Sequence, residues 1–244
     1  TPPPPAPPTP PTPPPLPPTA PTIGTLRALY EATGGEGWRQ PQYPQGEVWF
    51  SSCPVCEGET WGCLGWVGVT CGEDASGPTQ LDLGGMRLEG TLPPQIGNLV
   101  GLTSLDLEGS SSSSNSDRNR LSGSLPSQVG NLVQLATLKL RYNSFSGSVP
   151  SEFGRLTDLA SLDLSHNSLT TLSLSGLTGL PAIELAHNSI SSLSLPSELG
   201  GRTGLTNLDL SHNSLTSLPS EIGGLIELAS FDLTEQQPAD VPPV

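Results

Sequence analysis

The sequence has little positive charge and no long apolar run. Nine Lys and Arg residues stand against 23 Asp and Glu residues, which gives a formal net charge of −14. So acidic a chain is a poor partner for nucleic acid or for an anionic membrane surface, because both attract clustered positive charge. No apolar stretch reaches the roughly 18 residues of a membrane-spanning helix. We therefore predict no nucleic-acid partner and no membrane span.

The short motifs of common catalytic sites are also missing. The sequence contains no G-x-x-x-x-G-K-[ST], H-E-x-x-H or G-x-S-x-G segment, and no nucleophilic cysteine or elbow serine lies beside its three histidines. No Asn stands in an N-x-[ST] context, so any attached sugar would be O-linked. We predict that the protein is not an enzyme, and that it carries covalent glycans but no cofactor.

Cysteine is scarce and clustered. All four cysteines lie between Cys53 and Cys71. Clustering at one edge of a domain predicts a small disulfide-bonded cap and an oxidising compartment. The spacing C-x2-C-x6-C-x7-C is also compatible with a zinc site, which is the alternative. We favour disulfides and predict no metal centre.

Proline is concentrated at the start of the chain. Residues 1–22 hold half of the 28 prolines and no charged residue. This composition favours polyproline II, an extended helix without internal hydrogen bonds. At about 3.1 Å per residue, the segment would reach roughly 70 Å. We predict an extended arm over residues 1–22.

A repeat runs from Leu81 onward. Clear copies are LATLKLRYNSFSGSVPSEFGRLTD, LASLDLSHNSLTTLSLSGLTG and LTNLDLSHNSLTSLPSEIGGLIE. The anchor residues are 24, 33, 24, 21, 25 and 23 positions apart, and they are Leu81, Leu105, Leu138, Leu162, Ile183, Leu208 and Phe231. The pattern resembles the leucine-rich repeat, L-x-x-L-x-L-x-x-N. Segments such as LSGSLPSQVGNL resemble its plant-type subclass, whose repeats carry G-x-[IVL]-P.

The resemblance implies an α/β solenoid, a right-handed coil with a parallel concave sheet. Each L-x-L places two leucines on one face of a short strand, and stacking of successive coils buries them in a continuous core. We expect a cap over residues 23–78, repeats over 79–233 and a proline-containing tail over 234–244. The recurring asparagines should turn inward and satisfy backbone groups; they are Asn119, Asn143, Asn167, Asn188 and Asn213. The Gly-x-x-Pro and Pro-Ser-x-x-Gly segments should cross the convex side as turns or short helical pieces.

The cap segment combines a helix with the cysteines. Thr25–Ala32 has apolar residues at helical spacing and is followed by three glycines, which predicts a short amphipathic helix. The later part resembles the cap of plant-type leucine-rich-repeat ectodomains, W followed by C-x-W-x-G-V-x-C. This resemblance implies a disulfide between Cys63 and Cys71. Cys53 and Cys56 are additional to that pattern; they either bond to each other or pair across with the other two.

One gap between anchors is 33 residues instead of 24, nine more than the usual period. The extra residues fall within GSSSSSNSDRN, residues 109–119. The interpretations are a flexible low-complexity loop on the one hand, and a glycosylated serine cluster or a contact between neighbouring molecules on the other.

The position between the two strand leucines should point out of the concave face. It is almost always acidic, and adjacent strands lie about 4.8 Å apart, so the side chains should form a row. This row is our candidate binding surface for a cationic partner, calcium or sugar hydroxyls, and it consists of Asp82, Asp106, Lys139, Asp163, Glu184 and Asp209, with Asp232 after them. The alternative is that L-D-L is ordinary repeat consensus with a solvated face.

His166, His187 and His212 precede the recurring asparagine in consecutive coils, so they should line up. Three aligned imidazoles could bind a metal. The alternative is that S-H-N is a consensus variant whose side chains cover the strand edge.

The arm resembles hydroxyproline-rich glycoproteins of plant and algal extracellular matrix, including extensin-like arms joined to leucine-rich repeats. The resemblance implies hydroxylation and O-glycosylation of its prolines and threonines, for which the candidates are Pro3, Pro4, Pro5, Pro8, Pro11, Pro14, Pro15, Pro18, Thr9, Thr12 and Thr19. An uncapped last coil could receive a neighbour's arm, which would give head-to-tail self-assembly.

These observations lead to two hypotheses. The first is a secreted, non-enzymatic structural protein whose repeat bodies join through glycosylated arms into a fibre or cell-wall network with matrix glycans. The second is a recognition ectodomain or inhibitor that binds a protein or polysaccharide on its concave face.

Overall fold

The architecture was analysed in a computed structural model, which describes residues 20–38, 68–72, 77–111, 118–173, 180–195 and 204–237. Several predictions fall outside these residues. They concern the glycosylation candidates of the arm, Cys53, Cys56 and Cys63, the middle of the serine-rich insertion and the end of the tail.

The described residues contain one α-helix, thirteen strands and five short 3₁₀ helices. The helix α1 spans Ala20–Ala32. The strands are β1 Val69–Cys71, β2 Pro78–Asp82, β3 Glu89–Thr91, β4 Ser104–Asp106, β5 Arg120–Ser124, β6 Thr137–Lys139, β7 Ser144–Ser148, β8 Ser161–Asp163, β9 Ser168–Ser173, β10 Ala182–Glu184, β11 Ser192–Ser194, β12 Asn207–Asp209 and β13 Ser230–Asp232. The 3₁₀ helices are Gly35–Gly37, Pro94–Asn98, Ser127–Asn131, Ser151–Arg155 and Ser220–Gly224.

The first sheet has eight strands in the order β1-β2-β4-β6-β8-β10-β12-β13. From β2 onward neighbouring strands are parallel, and β1 is antiparallel to β2. Each predicted anchor pairs with the next one, from Leu81 opposite Leu105 to Leu208 opposite Phe231. The predicted stack of coils around a parallel sheet is therefore confirmed.

A second sheet is formed by strands that follow those of the first sheet within each coil. The sequence analysis did not predict it. Its order is β11-β9-β7-β5-β3, and its neighbouring strands are parallel. Strands β5 and β7 include the first two residues of two Gly-x-x-Pro segments that were expected to be turns, and in these strands Leu121 and Phe145 point into the core. Gly123 and Gly147 have φ of 77° and 79°, a backbone conformation that a side chain would strain.

Four return segments are described as 3₁₀ helices, in agreement with the predicted turns or short helical pieces. These 3₁₀ helices follow extended prolines, namely Pro93, Pro126, Pro150 and Pro219. Within the described residues α1 is the one α-helix, and it lies before the repeats, so the described parts of the repeats consist of strands, 3₁₀ helices and loops. No helix in the described part of the chain is long and apolar enough to cross a bilayer.

The core is a column of leucines between the two sheets. Both leucines of each L-x-L are inside; Leu81, Leu83, Leu105 and Leu107, for example, are 0% exposed. Burial of one such side chain stabilises the fold by about 1.5–3 kcal/mol relative to exposure. Because the column passes through every coil, each coil depends on its neighbours for this burial.

The cap covers the first coil with α1, which begins five residues before the predicted Thr25. Leu26 and Leu29 are buried, and the indole N–H of Trp38 donates to the Thr33 carbonyl at 2.9 Å. Gly90 permits close approach, since a Cβ there would lie 2.2 Å from the Ala32 carbonyl oxygen. Cys71 is disulfide-bonded. Because Cys63 lies outside the described residues, the Cys63–Cys71 pairing stays a prediction.

Candidate ligand-binding site

Six side-chain amides fix the strand exits where the site lies. In each coil the amide oxygen accepts a backbone N–H of the preceding coil, and the amide nitrogen of each asparagine donates to carbonyls of both coils. For Asn188 the partners are the Leu169 N–H at 2.9 Å, the Leu164 carbonyl at 3.0 Å and the Leu185 carbonyl at 3.1 Å. We call this set the amide ladder; it comprises Asn119, Asn143, Asn167, Asn188, Asn213 and Gln236.

The inward role predicted for the asparagines is thereby observed in the structure. Gln236 is an unforeseen member. Its Oε1 accepts the Leu215 N–H at 2.9 Å, and its Nε2 donates to the Leu210 carbonyl at 2.7 Å. It occupies the ladder position of the last described coil, and the signal was its place after L-T-E, where the other coils have an asparagine.

The charged row of the first sheet is brought together as predicted. Register pairs Asp82 with Asp106, then Lys139, Asp163, Glu184, Asp209 and Asp232. Asp82 and Glu184 are exposed, whereas the other members are half-buried. The row is therefore a continuous surface feature across seven strands.

Most aspartates in the row also have a structural task that the sequence analysis missed. Oδ1 of Asp163 accepts the backbone N–H of Ser165 at 2.9 Å, and Asp209 accepts that of Ser211 at 2.9 Å. Asp82, Asp106 and Asp232 make the same bond two residues ahead. The bond from Thr234 lowers the pKa of Asp232. The L-D-L consensus thus stabilises the turn that leaves each strand.

Two cationic side chains lie near aspartates of the row: Lys139, which belongs to the row, and Arg141, which lies beside it. Lys139 Nζ lies 3.1 Å from Asp106 Oδ2, and this hydrogen bond raises the pKa of Lys139. Arg141 Nη1 lies 4.0 Å from Asp163 Oδ2. Negative charge therefore remains in excess on the side of the row that carries Glu184, Asp209 and Asp232.

Glu184 differs from the aspartates around it. Partial burial, and then the nearby charge of Asp163, raise its pKa above the ordinary value of 4.5. Glu108, two residues after Asp106, has its pKa raised by burial and by Asp106. The fold therefore holds both carboxylates in surroundings that disfavour their charge.

The aligned histidines form a stack with a tyrosine, which we call the ring ladder. Ring centroids are 4.1 Å apart from Tyr142 to His166, 4.1 Å from His166 to His187 and 3.9 Å from His187 to His212, with interplanar angles of 22°, 15° and 11°. All four residues have a positive φ between 52° and 55°, a region that His tolerates better than most residues. The predicted alignment is present, and Tyr142 extends it.

The fold favours the neutral form of two histidines in the ring ladder, His166 and His187. Burial lowers the pKa of His166 to about 4, with His187 and Arg141 contributing. Burial and His212 also lower the pKa of His187. At its other end, His212 Nδ1 lies 3.1 Å from Glu235 Oε2. The stack therefore ends on a carboxylate.

The geometry gives the metal alternative no support. Ring nitrogens coordinate in the plane of the ring, and nearly parallel rings cannot aim their lone pairs at one ion. Across the residues that the structure describes, no group of three His, Cys, Asp or Glu side chains could hold a metal ion.

The charged row and the ring ladder share a cleft of about 240 Å³, which we call the trough. Its lining includes Arg141, Glu184, Asp209 and the three histidines. Ser165, Ala186 and Ser211 complete it with small side chains. The trough can accept hydrogen bonds through carboxylates and imidazoles, and it offers one guanidinium.

Comparisons with known proteins agree with this architecture. Residues 133–190 match a family model described as Leucine rich repeat, and residues 204–225 match a second model with that description. The LRR receptor-like serine/threonine-protein kinase EFR of Arabidopsis thaliana is 39% identical over 66 residues, which is 27% of this chain and 6% of that protein. A probable LRR receptor-like kinase of the same plant is 44% identical over 59 residues, covering 24% of this chain and 5% of that protein.

Solved structures are similar over most of the chain. The LRR ectodomain of the receptor kinase SOBIR1 from Arabidopsis thaliana superposes with a TM-score of 0.54 and 25% identity, covering 81% of this chain and 96% of that one. The structure of PEPR1–AtPEP1 gives a TM-score of 0.61 and 26% identity over 88% of this chain and 31% of that one. Residues 133–190 and 204–225 therefore match leucine-rich repeats, and the fold of the chain is similar to that of plant leucine-rich-repeat ectodomains.

Proposed function

We propose that the chain is an extracellular recognition module that binds a ligand in the trough and along the charged row beside it. The observation that carries this proposal is that contacts within the chain already hold the side chains of the site in place. The aspartates accept backbone N–H groups and the rings stack on one another, so few side chains need to be ordered on binding. Such preorganisation lowers the entropic cost of association.

Similarity to receptor ectodomains supports this proposal over the structural alternative. One similar structure is PEPR1–AtPEP1, and another is the BIR3–SERK2 complex from Arabidopsis thaliana. The curated relatives are named as kinases, but the match spans only 5% and 6% of their length. It therefore gives no reason to assign kinase activity to this chain. The disulfide at Cys71 supports an oxidising, extracellular location.

The charge of the row favours a ligand with basic groups. Lys139 and Arg141 already lie beside Asp106 and Asp163, whereas Glu184 and Asp209 face the trough without a lysine or arginine partner among the described ion pairs. A peptide or protein segment that carries Lys or Arg would complement these carboxylates. A polysaccharide could use the same acceptors through its hydroxyls but would leave the charge uncompensated.

The experiment is capture of binding proteins from extracellular fluid by the immobilised chain. The test variant is E184Q/D209N, in which the new amide oxygen at position 209 can still accept the Ser211 N–H. The control, E221Q/E227Q, removes the same charge from the segment around the Ser220–Gly224 3₁₀ helix. We expect a basic protein to be captured by the wild type and the control and lost with the test variant. Equal capture by all three would refute the proposal.

The fibre hypothesis depends on the glycosylation candidates from Pro3 to Thr19, which lie outside the described residues. It stays a prediction, as do self-assembly through the arm and binding of matrix glycans. Intact mass before and after chemical deglycosylation tests the modification of the arm directly. A mass equal to that of the bare sequence would remove the hypothesis.

A further inference from the structure

The coil in the middle of the trough departs from its two neighbours in its polar residues. The neighbouring coils read L-D-L-S-H-N, at residues 162–167 and 208–213, whereas the middle coil reads I-E-L-A-H-N, at residues 183–188. Glu184 therefore takes the place of an aspartate, and Ala186 the place of a serine. Both residues line the trough, so the departure from the repeat falls on the candidate site.

These two differences keep the Glu184 carboxylate out of the turn that the aspartates stabilise. In the neighbouring coils Asp163 and Asp209 each accept the backbone N–H two residues ahead. The Ser165 hydroxyl also donates to Asp163. Among the hydrogen bonds of the described residues, Glu184 accepts none from residue 186, and Ala186 has no hydroxyl to donate. The carboxylate of Glu184 can therefore receive donors from a ligand.

Ser211 supplies a further acceptor beside the carboxylates. It is only 6% exposed, and it lines the trough. Its hydroxyl makes no hydrogen bond with any residue that the structure describes, although Ser165, at the equivalent position, bonds to Asp163. Hydroxyl groups that are nearly buried normally have a partner. The hydroxyl of Ser211 therefore points to a ligand group that enters the trough and donates to it.

Negative charge is concentrated on the same side of the trough. Glu184 and Asp209 are register partners on β10 and β12, and neighbouring strands lie about 4.8 Å apart. Burial first, and then the negative charges of Asp163 and Asp209, raise the pKa of Glu184. Arg141, which also lines the trough, lies near Asp163 and three strands away from Asp209. A cation bound between Glu184 and Asp209 would relieve the repulsion between their carboxylates.

We propose that the centre of the trough binds the guanidinium group of an arginine side chain through Glu184, Asp209 and the Ser211 hydroxyl. This assignment rests on the proposed function, because it names the basic group that the recognition module takes. Oδ1 of Asp209 is bonded to the Ser211 N–H, which leaves four acceptor oxygens on the three side chains. A lysine ammonium has three donors, whereas the planar guanidinium has five and is more weakly hydrated. A cleft of about 240 Å³ is smaller than most small-molecule sites and suits a single side chain.

Titration of the chain with end-capped tripeptides, followed by NMR through the histidine ring signals, tests this assignment. The peptides are Gly-Arg-Gly, Gly-Lys-Gly and Gly-citrulline-Gly. We expect the arginine peptide to bind at least fivefold more tightly than the lysine peptide. The citrulline peptide, which has a similar shape but no charge, should bind at least tenfold more weakly than the arginine peptide. Equal affinity for the arginine and lysine peptides would overturn the assignment to a guanidinium and leave the recognition proposal standing.

The double variant E184D/A186S restores the polar residues of the neighbouring coils and keeps the charge. It should weaken binding of the arginine peptide about tenfold, because the shorter carboxylate can then accept the donors that Asp163 accepts in its own coil. S211A should weaken binding about fivefold, whereas the control S220A, which removes an exposed hydroxyl from a 3₁₀ helix, should not. Unchanged binding in E184D/A186S or in S211A would overturn the assignment, and loss in E184Q/D209N would then show that charge alone selects the ligand.

Discussion

The imidazole ring of His187 lies 3.9 Å from that of His212, and the two ring planes differ by only 11°. Partial burial, and then the neighbouring imidazole of His212, lower the pKa of His187. The contact therefore disfavours protonation of His187 in the folded chain. We therefore expect the free energy of unfolding of the solenoid to depend on pH.

The first prediction concerns this pH dependence. In the folded chain His166 has a pKa of about 4, below its ordinary value of 6.5. The unfolded chain therefore binds more protons between about pH 6.5 and pH 4, and the free energy of unfolding falls as the pH falls through that window. Replacing His166 with Asn, which tolerates the same positive φ, should make this fall shallower in urea titrations at several pH values.

The control for that prediction is Y142F, which keeps a ring in the stack and removes no imidazole. Its free energy of unfolding should follow the pH in parallel with that of the wild type. A slope for H166N identical to that of the wild type would show that the ring ladder does not control the acid response.

The second prediction concerns the amide ladder. N188A should lower the free energy of unfolding by about 3 kcal/mol, because it leaves a buried N–H and buried carbonyls without partners. Asn207, an exposed residue on β12, provides the control N207A, which should change stability by less than about 0.5 kcal/mol. Equal midpoints of chemical denaturation for the two variants would contradict the bridging role.

The third prediction concerns Glu184. Because the fold raises its pKa, the ionised carboxylate destabilises the folded chain at pH 7. E184Q should therefore raise stability at pH 7, by less than about 1 kcal/mol since solvent screens the group. The gain should disappear as the pH falls below the ordinary value of 4.5, where the unfolded chain also binds the proton. E227Q is the control, and a gain of similar size there would point to net charge instead.

The fourth prediction separates the two tasks of the charged row. D209A removes the acceptor of the Ser211 N–H and should cost about 1 kcal/mol of stability. D209N keeps an oxygen at that place and should cost less. Thermal unfolding of both variants measures the difference, and an equal loss of stability would mean that charge, and not the backbone bond, is what Asp209 contributes.

The fifth prediction concerns the contact between the cap and the repeats. G90A introduces a Cβ that would meet the Ala32 carbonyl oxygen, whereas G77A introduces one with open space around it. Both glycines have a positive φ, of 111° and 128°, so backbone strain is common to the two variants. We expect G90A to lower the melting temperature more than G77A does. The reverse order would show that α1 does not press on β3.

The leucine pattern was sufficient to predict the first sheet and its register. Each anchor recurs at nearly one period, and a strand that carries L-x-L has a single way to bury both leucines. Asn188 and its equivalents were predictable for a related reason, since a polar residue recurring beside a core must satisfy backbone groups.

The second sheet and the trough were less accessible from the sequence. In Ser144–Ser148 a single apolar residue, Phe145, points inward, so no alternation of several residues indicates a strand. The ring ladder was only partly predictable from the sequence. Tyr142 precedes Asn143 just as each histidine precedes its asparagine, but its triplet is R-Y-N, whereas the histidines lie in S-H-N or A-H-N. The trough could be found only from the fold, because Arg141 and Asp209 meet there from different coils.

The amide ladder gives the solenoid a direction. Each amide completes the backbone hydrogen bonds of the coil before it, as Asn213 does for the Ile190 N–H and the Leu185 carbonyl. When a coil on the C-terminal side opens, the coil before it loses the amide that bound its backbone N–H and carbonyl groups. Each opening therefore weakens the next coil towards the N-terminus. Pulled from its two ends, the molecule should unravel in unequal ways, with the C-terminal coils releasing the next one more readily.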